Sequence, residues 1–285
     1  MAKRSEKVPT GYMGAVIGRS DIGPVNKPIF VKREGQLIVN FGGPLKSGYL
    51  GHAVLGYLEN RGPGCYVVNV EEESVVGYEA ALKALDKMGD IAFIIAPGQI
   101  DKEIQEAIVA HCEEKGDRIA ILDVPIELMK EEEEPEEMDE EQSDLEADVE
   151  SVALEEEGKE VEESGEGSEE IETEEEWTPM ESEHCLYYYP WVTIWDYKLG
   201  YADVPPSGHV LAHYVRTARR QKIARPEVHG EITGTKGLEH KPSDEEIESL
   251  TSMGVEYLDY ISDAPPLIGI PEPRPDEEQE VGKGE

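Results

Sequence analysis

Basic residues are scarce in this sequence: 26 Lys and Arg stand against 64 Asp and Glu over 285 residues, a formal net charge of −38. That balance argues against nucleic acid as the main partner, because a phosphate backbone is bound by releasing counterions from clustered Lys and Arg. The one dense basic run, Arg216, Arg219, Arg220, Lys222 and Arg225, reads as the outer side of a helix and the loop after it. Cysteine is scarce too. Cys65, Cys112 and Cys185 are odd in number and widely spaced, with no CxxC pair to hold zinc or a redox couple. They read as small buried apolar residues in a reduced compartment. No apolar run approaches the ~20 residues that cross a bilayer, and the charged residues 1–9 hold no apolar signal stretch. These absences set three expectations: synthesis in the cytoplasm, no nucleic-acid partner and no membrane partner.

The acidity is concentrated. Residues 131–176 carry 26 carboxylates and a single base, Lys159. A stretch so rich in like charge and so poor in apolar groups cannot offset roughly 1–2 kcal/mol per residue of backbone ordering entropy. It is expected to be a disordered acidic insert. Beyond residue 265 the chain is Pro, Gly and charge, so residues 266–285 are expected to be a disordered tail. Residues 1–130 and 177–265 then form one discontinuous domain of ordinary composition, large enough for one sizeable core.

Within that domain, apolar runs at residues 12–18, 65–70, 91–96, 119–124, 185–194 and 255–261 read as strands. Between several of them the apolar spacing turns helical: Tyr49, Leu50, Ala53, Val54, Tyr57 and Leu58, then Val76, Leu82, Leu85 and Met88. A third helix has Ile104, Ile108 and Cys112 inward, with Asp101 as its cap and Gly116 at its end. Pro205-Pro206-Ser207 opens a helix with Val210, Leu211, Tyr214 and Val215 inward. Ser243 and Glu246 fit a capping box for another. Strands alternating with helices predict an α/β fold with a mostly parallel sheet flanked by helices.

Such a sheet invites an enzyme reading, yet the usual parts are missing. Gly42-Gly43-Pro44-Leu45-Lys46-Ser47 has a Lys-Ser pair, but Leu45 stands where a phosphate-cradling loop needs Gly. No GxGxxG follows a strand, and HExxH is absent. A hydrolase triad of Asp123, Ser207 and His209 can be drawn, but Ser207 and His209 are two apart and diverge on a helix. Ser207 reads better as an N-cap and Asp123 as a strand-end residue, and no GxSxG elbow exists. The acidic insert lacks the D-x-D-x-D-G spacing that fixes calcium. Tyr187-Tyr188-Tyr189-Pro190-Trp191 offers a sugar or peptide platform as an alternative to core packing, and alternation along a strand puts about half of these rings inside. The site expectation is therefore empty: no catalytic residue, no cofactor and no metal.

The order of motifs resembles the contractile phage tail-sheath proteins. The likeness runs from Tyr12-Met13-Gly14-Ala15-Val16-Ile17-Gly18-Arg19 and Gly23-Pro24-Val25-Asn26-Lys27-Pro28 through Phe41-Gly42-Gly43 and Tyr49-Leu50-Gly51-His52-Ala53-Val54. It continues in Glu59-Asn60, Gly64-Cys65-Tyr66-Val67-Val68-Asn69-Val70, Ala84-Leu85-Asp86 and Ile95-Ala96-Pro97-Gly98. After these come Asp117-Arg118-Ile119-Ala120-Ile121-Leu122-Asp123-Val124-Pro125, Tyr188-Tyr189-Pro190-Trp191 and Val204-Pro205-Pro206-Ser207-Gly208-His209-Val210. Gly237-Leu238-Glu239 and Met253-Gly254-Val255 close the series. The shared order, more than any one piece, carries the resemblance.

The resemblance implies a subtilisin-like domain, named for its shape and not for protease activity. It also implies a structural subunit of a sheath in a contractile tail, virion or injection particle. Its partners would be other sheath subunits or a complementary C-terminal sheath polypeptide, with the tail tube reached indirectly. Against the family pattern, this chain is expected to be a shortened form without the N-terminal arm and the C-terminal domain. A hydrolase on the same scaffold and an acidic binding or decoy protein are the alternatives.

Overall fold

The computed structural model describes residues 11–45, 48–129, 177–259 and 265–268. In chain order the elements are β1 (Met13–Gly18), β2 (Ile29–Val31), α1 (Glu34–Phe41), α2 (Leu50–Glu59), β3 (Cys65–Asn69), α3 (Val75–Ala84), β4 (Ile91–Ile95), α4 (Lys102–Lys115) and β5 (Ile119–Asp123). The second part holds β6 (Cys185–Tyr189), β7 (Val192–Asp196), β8 (Gly200–Val204), α5 (Ser207–Gln221), β9 (Gly230–Glu231), β10 (Thr235–Leu238), α6 (Asp244–Met253), β11 (Val255–Asp259) and β12 (Leu267–Ile268).

Nine strands form one sheet in the order β2-β3-β1-β4-β5-β6-β11-β12-β9. Pairing is parallel from β3 through β1, β4, β5 and β6 to β11, with antiparallel strands at both margins. The expected α/β class with a mostly parallel sheet is the observed one. Each central strand sends alternate side chains to opposite faces. Val16 faces the cluster that holds Leu37, Val54, Tyr57, Leu211 and Val215 from α1, α2 and α5. Ala15 and Ile17 face the other cluster, with Tyr78, Leu82, Ile108, Cys112 and Leu250 from α3, α4 and α6. Two covered faces explain why β4 and β5 are buried at every position.

The helix boundaries follow local chemistry. Asp101 accepts from Ile104 N at 3.0 Å, and Gly116 closes α4 in the left-handed conformation. The Ser243–Glu246 capping box opens α6 as expected. Ser74, unread in the sequence, caps α3. Arg118 is wholly buried at the start of β5. Its guanidinium donates to Leu85 O and Met88 O and sits 3.1 Å from Asp117 Oδ1, so a buried charge is fully partnered.

Several expectations change. The run read as one strand over 185–194 is two, β6 and β7, parted at the Tyr189–Pro190 peptide. β7 turns back as β8 and joins β10 in a separate three-stranded antiparallel sheet of order β10-β7-β8. Proline supplies no N–H to a ladder, so the break falls where the ladder would lose a bond. Tyr187, Tyr188, Tyr189 and Trp191 are all buried, not half of them, because both sheet faces are covered. β12 pairs with β11, so the sheet extends into residues 267–268 of the segment read as tail. The acidic insert expected at 131–176 and the rest of that tail lie outside the described residues. The chain on either side of the insert is anchored: Leu128, Met129, Trp177 and Met180 pack on the second core cluster.

Candidate functional site

In a parallel α/β sheet the place to look is beyond the carboxyl ends of the strands. There, at the end of β5, Asp123 is completely buried. Its Oδ2 accepts from Ser207 Oγ at 2.7 Å and from Gly98 N at 3.0 Å, and its Oδ1 accepts from Ser207 N at 3.0 Å. Burial pushes the Asp123 carboxyl up to about 6, against the pull of these donors. Two of the three residues of the imagined triad are thus together, with direct contact between carboxylate and serine.

The third is elsewhere. The His209 ring is buried against α2, where a Cβ on Gly56 would lie 2.5 Å from its Cε1, and its Nδ1 has no hydrogen-bond partner. The Ser207 hydroxyl is spent on Asp123 and is itself fully buried. A nucleophile needs an open approach as well as a base; Ser207 has the Asp123 carboxylate beside it but is fully buried, with no imidazole in contact. Ser207 is also not the N-cap expected. Pro206 holds that position without a capping side chain, and Ser207 is the first helical residue. The cap comes from across the fold, since Asp123 on β5 satisfies the first N–H of α5.

Aromatic rings fill the space above. The Trp191 Nε1–H donates to Val124 O at 2.9 Å, and the Tyr49 ring meets Trp191 edge-on at 5.1 Å between centroids. Gly98, at φ 72°, lets Tyr49 lie close, for a Cβ there would sit 2.4 Å from the Tyr49 ring. Among the described residues, half-buried Tyr49 and buried Trp191 lie beside the end of β5.

A second polar group runs along the contact of α2 and α5, and the sequence reading missed it. Gly208 lies so close to Ala53 that a Cβ would approach its Cα to 2.4 Å. Beside this contact His213 Nε2 is 3.3 Å from Asn60 Oδ1, which also accepts from Thr233 N at 2.9 Å. Asn60 Nδ2 donates to Gly56 O and Thr233 O, and Arg216 donates to Asn60 O. His52 Nε2 is 3.3 Å from Asp196 Oδ2 in the turn between β7 and β8. Burial, then the neighbouring His213 and His52, holds His209 down to about 4. Burial and then Arg216 do the same for His213. His209 and His213, held neutral, tie α5 to α2 and the residue after it, and His52 ties the β7–β8 hairpin to α2. The i, i+4 spacing of His209 and His213 was the available signal, since such residues share one helix face.

The other sequence features resolve as structure. Gly42 closes α1 in the left-handed conformation, and Gly51 packs against Pro44, so this segment is a helix end and not a phosphate loop. Lys46 and Ser47 lie outside the described residues. Cys65, Cys112 and Cys185 are free and buried, as expected. Arg219, Arg220 and Lys222 line the solvent side of the end of α5, and Arg225 follows in the loop. A cavity of about 450 Å³ lies beside β5, β6 and β11. Its floor has the Tyr188 and Tyr214 hydroxyls 2.8 Å apart, and its rim mixes Arg225 with Glu183, Glu227 and Glu256. Carboxylates outnumber bases in the lining, where Glu183, Glu227 and Glu256 stand with Arg225 and His229.

No protein-family model matches the chain, and no curated protein does. Solved structures do. The helical sheath of the anti-feeding prophage in its contracted state superposes with a TM-score of 0.58 at 14% identity, covering 94% of this chain and 62% of that one. The sheath complex of the PVC extracellular contractile injection system, also contracted, gives 0.53 at 16% identity, over 94% and 63%. A sheath tail protein from Desulfitobacterium hafniense gives 0.56 at 9% identity, over 94% and 73%. The fold is the one these sheath proteins share. The chain spans less than two thirds of the length of the two injection-system sheath proteins.

Proposed function

We propose that this protein is a structural, sheath-like subunit of a contractile phage tail or related injection particle. The observation that carries the reading is coverage: 94% of this chain superposes on a sheath subunit with a TM-score of 0.58. Its partners in this reading are other sheath subunits or a complementary C-terminal sheath polypeptide, supported by the likeness to subunits seen in assembled sheaths. Assembly in the host cytoplasm and incorporation into the particle follow from this role. Residues 131–176 are then an acidic appendage to the domain, dispensable for its folding, a reading supported by the anchored residues on either side.

The same reading assigns no catalysis. It is supported by the buried Ser207–Asp123 contact and by the aromatic packing over the strand ends. A serine-directed fluorophosphonate probe should leave the purified chain unlabelled, and labelling lost in Ser207→Ala would reopen the hydrolase reading. The decisive experiment is to purify contractile particles from cells that make this protein and identify their subunits by peptide mass spectrometry. The chain should be present in stoichiometric ratio to the tube subunit. Its absence from intact particles would end the sheath reading.

A further inference from the structure

The cavity beside β5, β6 and β11 is large enough for a ligand, since its volume of about 450 Å³ lies in the range of ordinary binding pockets. Ile119, Leu186, Pro226 and Val228 give it apolar walls. Tyr188 and Tyr214 also line it, and are only 2% and 6% exposed. Their hydroxyls lie 2.8 Å apart, and this is the one hydrogen bond that either makes among the described residues. Each hydroxyl carries a proton, and the bond between them uses one of the two. The other is a buried donor without an acceptor, which costs stability until an acceptor reaches it. Burial first, with the Glu256 carboxylate among the lesser causes, raises both tyrosines above their ordinary value, so both keep their protons.

Charge is the second feature. Glu183, Glu227 and Glu256 stand at the rim, exposed, and none of them forms an ion pair among the described residues. Arg225 and His229 are the only bases in the lining. The balance is negative, in a chain that carries −38 overall, and such a field draws cations. It repels a second copy of this chain, and it repels the phosphates of lipid and nucleic acid. With 26 Lys and Arg against 64 Asp and Glu in this sequence, the matching cation belongs to another molecule.

We propose that this cavity binds a lysine-bearing peptide segment of a partner protein. A peptide carbonyl of the segment accepts the unused proton of the Tyr188–Tyr214 pair. The lysine stem lies on Ile119, Leu186 and Val228, and its ammonium stands among the three carboxylates. The site asks for an acceptor at its floor, an apolar body and a cation at its mouth, and a lysine residue within a chain has these in that order. A free alkylamine lacks the acceptor. The inference does not depend on the sheath reading.

The test follows the methyl NMR signals of Ile119, Leu186 and Val228 in the full chain, which report on the cavity and not on acidic residues elsewhere. Salt at about 0.15 M damps diffuse attraction over distances beyond ~8 Å. Nα-acetyl-lysine N-methylamide should move these signals with a dissociation constant of roughly 1 mM. Nα-acetyl-norleucine N-methylamide keeps the stem and carbonyls without the charge, and n-butylamine keeps the charge without the carbonyls. Each should bind at least about fivefold more weakly. Tyr188→Phe with Tyr214→Phe removes both hydroxyls together and leaves no orphaned donor, and should bring the lysine probe down to the level of n-butylamine. Glu183→Gln, Glu227→Gln and Glu256→Gln combined should bring it down to the level of the norleucine probe. Far-UV circular dichroism verifies that both variants stay folded. Signals unmoved by the lysine probe up to about 20 mM overturn the proposal, as does equal binding of the lysine and norleucine probes. Lysine binding unchanged by the paired Phe substitutions overturns the peptide as the source of the ammonium. Tighter binding of Nα-acetyl-glutamate N-methylamide overturns the proposal in favour of an anion site at Arg225.

Discussion

Two regions of this protein use polar and aromatic groups in opposite ways. At the end of β5, Asp123, Ser207 and Gly98 are drawn inward and satisfied by one another, beneath Tyr49 and Trp191. At the β7–β8 hairpin, Trp195, Tyr197 and Tyr201 stand outward beside a strand edge. In an enzyme of this architecture the first region would be open and reactive. Here it is closed and serves as a tie between β5 and α5. The second region, remote from the strand ends where chemistry is sought, is the one left available. A buried polar cluster reports on how a fold is held, and an exposed apolar one on what the fold meets.

The sharpest way to break this contrast is at the crossing of α2 and α5, on which the first region rests. Gly208→Val would drive side-chain atoms into the Ala53 backbone, and should cost about 3 kcal/mol or more. Chemical denaturation of the variant checks this, and a loss under about 1 kcal/mol would mean that the helices separate freely. Asp123→Ala leaves the Ser207 and Gly98 N–H groups buried without an acceptor, and should cost about 2–3 kcal/mol. Asp123→Asn keeps an acceptor and should cost less, whereas a catalytic role would make the two equally damaging to an activity.

The pH dependence, spread over several groups, has a defined sign. His209 and His213 are held at about 4 in the fold, against 6.5 for an ordinary histidine. The unfolded chain therefore takes up protons first, and stability falls as pH drops from about 6.5 to 4, on the order of 2 kcal/mol per histidine. Asp123 works the other way, because its folded value of about 6 is raised. Its contribution is present below about 4 and is lost as pH rises through 6. Urea midpoints between pH 4 and 7 should therefore fall on acidification in the parent, and fall more steeply in Asp123→Asn.

The smallest effect is expected at the hairpin. Trp195→Ser and Tyr201→Ser, on the exposed face, should each change monomer stability by less than about 0.5 kcal/mol. Urea denaturation at low protein concentration measures it. A loss near 2 kcal/mol would show that these rings belong to the core and would erase the contrast between the regions.

Much of the parallel sheet was legible. The run 91–96 is apolar at every position and 119–124 at every position but Asp123, which marks strands buried on both faces. Asp101 with Gly116 and Ser243 with Glu246 announce helix ends through local hydrogen bonds that need no tertiary partner. The aromatic run at 185–194 was read as a single strand, because β-branched and aromatic residues say strand without saying which sheet. Asp123 and Ser207 were considered in the sequence only as members of a drawn triad with His209, and their contact, a cap supplied across 84 positions, was not visible.

What the sequence determined by itself is therefore what near neighbours and periodicity set: the central parallel strands and the helices between them, the caps of α4 and α6, the burial of the cysteines and the missing nucleotide and metal motifs. The tertiary structure alone decided which polar residues meet. His52 finds Asp196 across 144 positions and His213 finds Asn60 across 153. The same packing sealed the strand ends and left the β8 edge open. Periodicity tells which face of an element is apolar, but two elements crossing at a glycine choose their partners by shape, and shape exists only once the chain has folded.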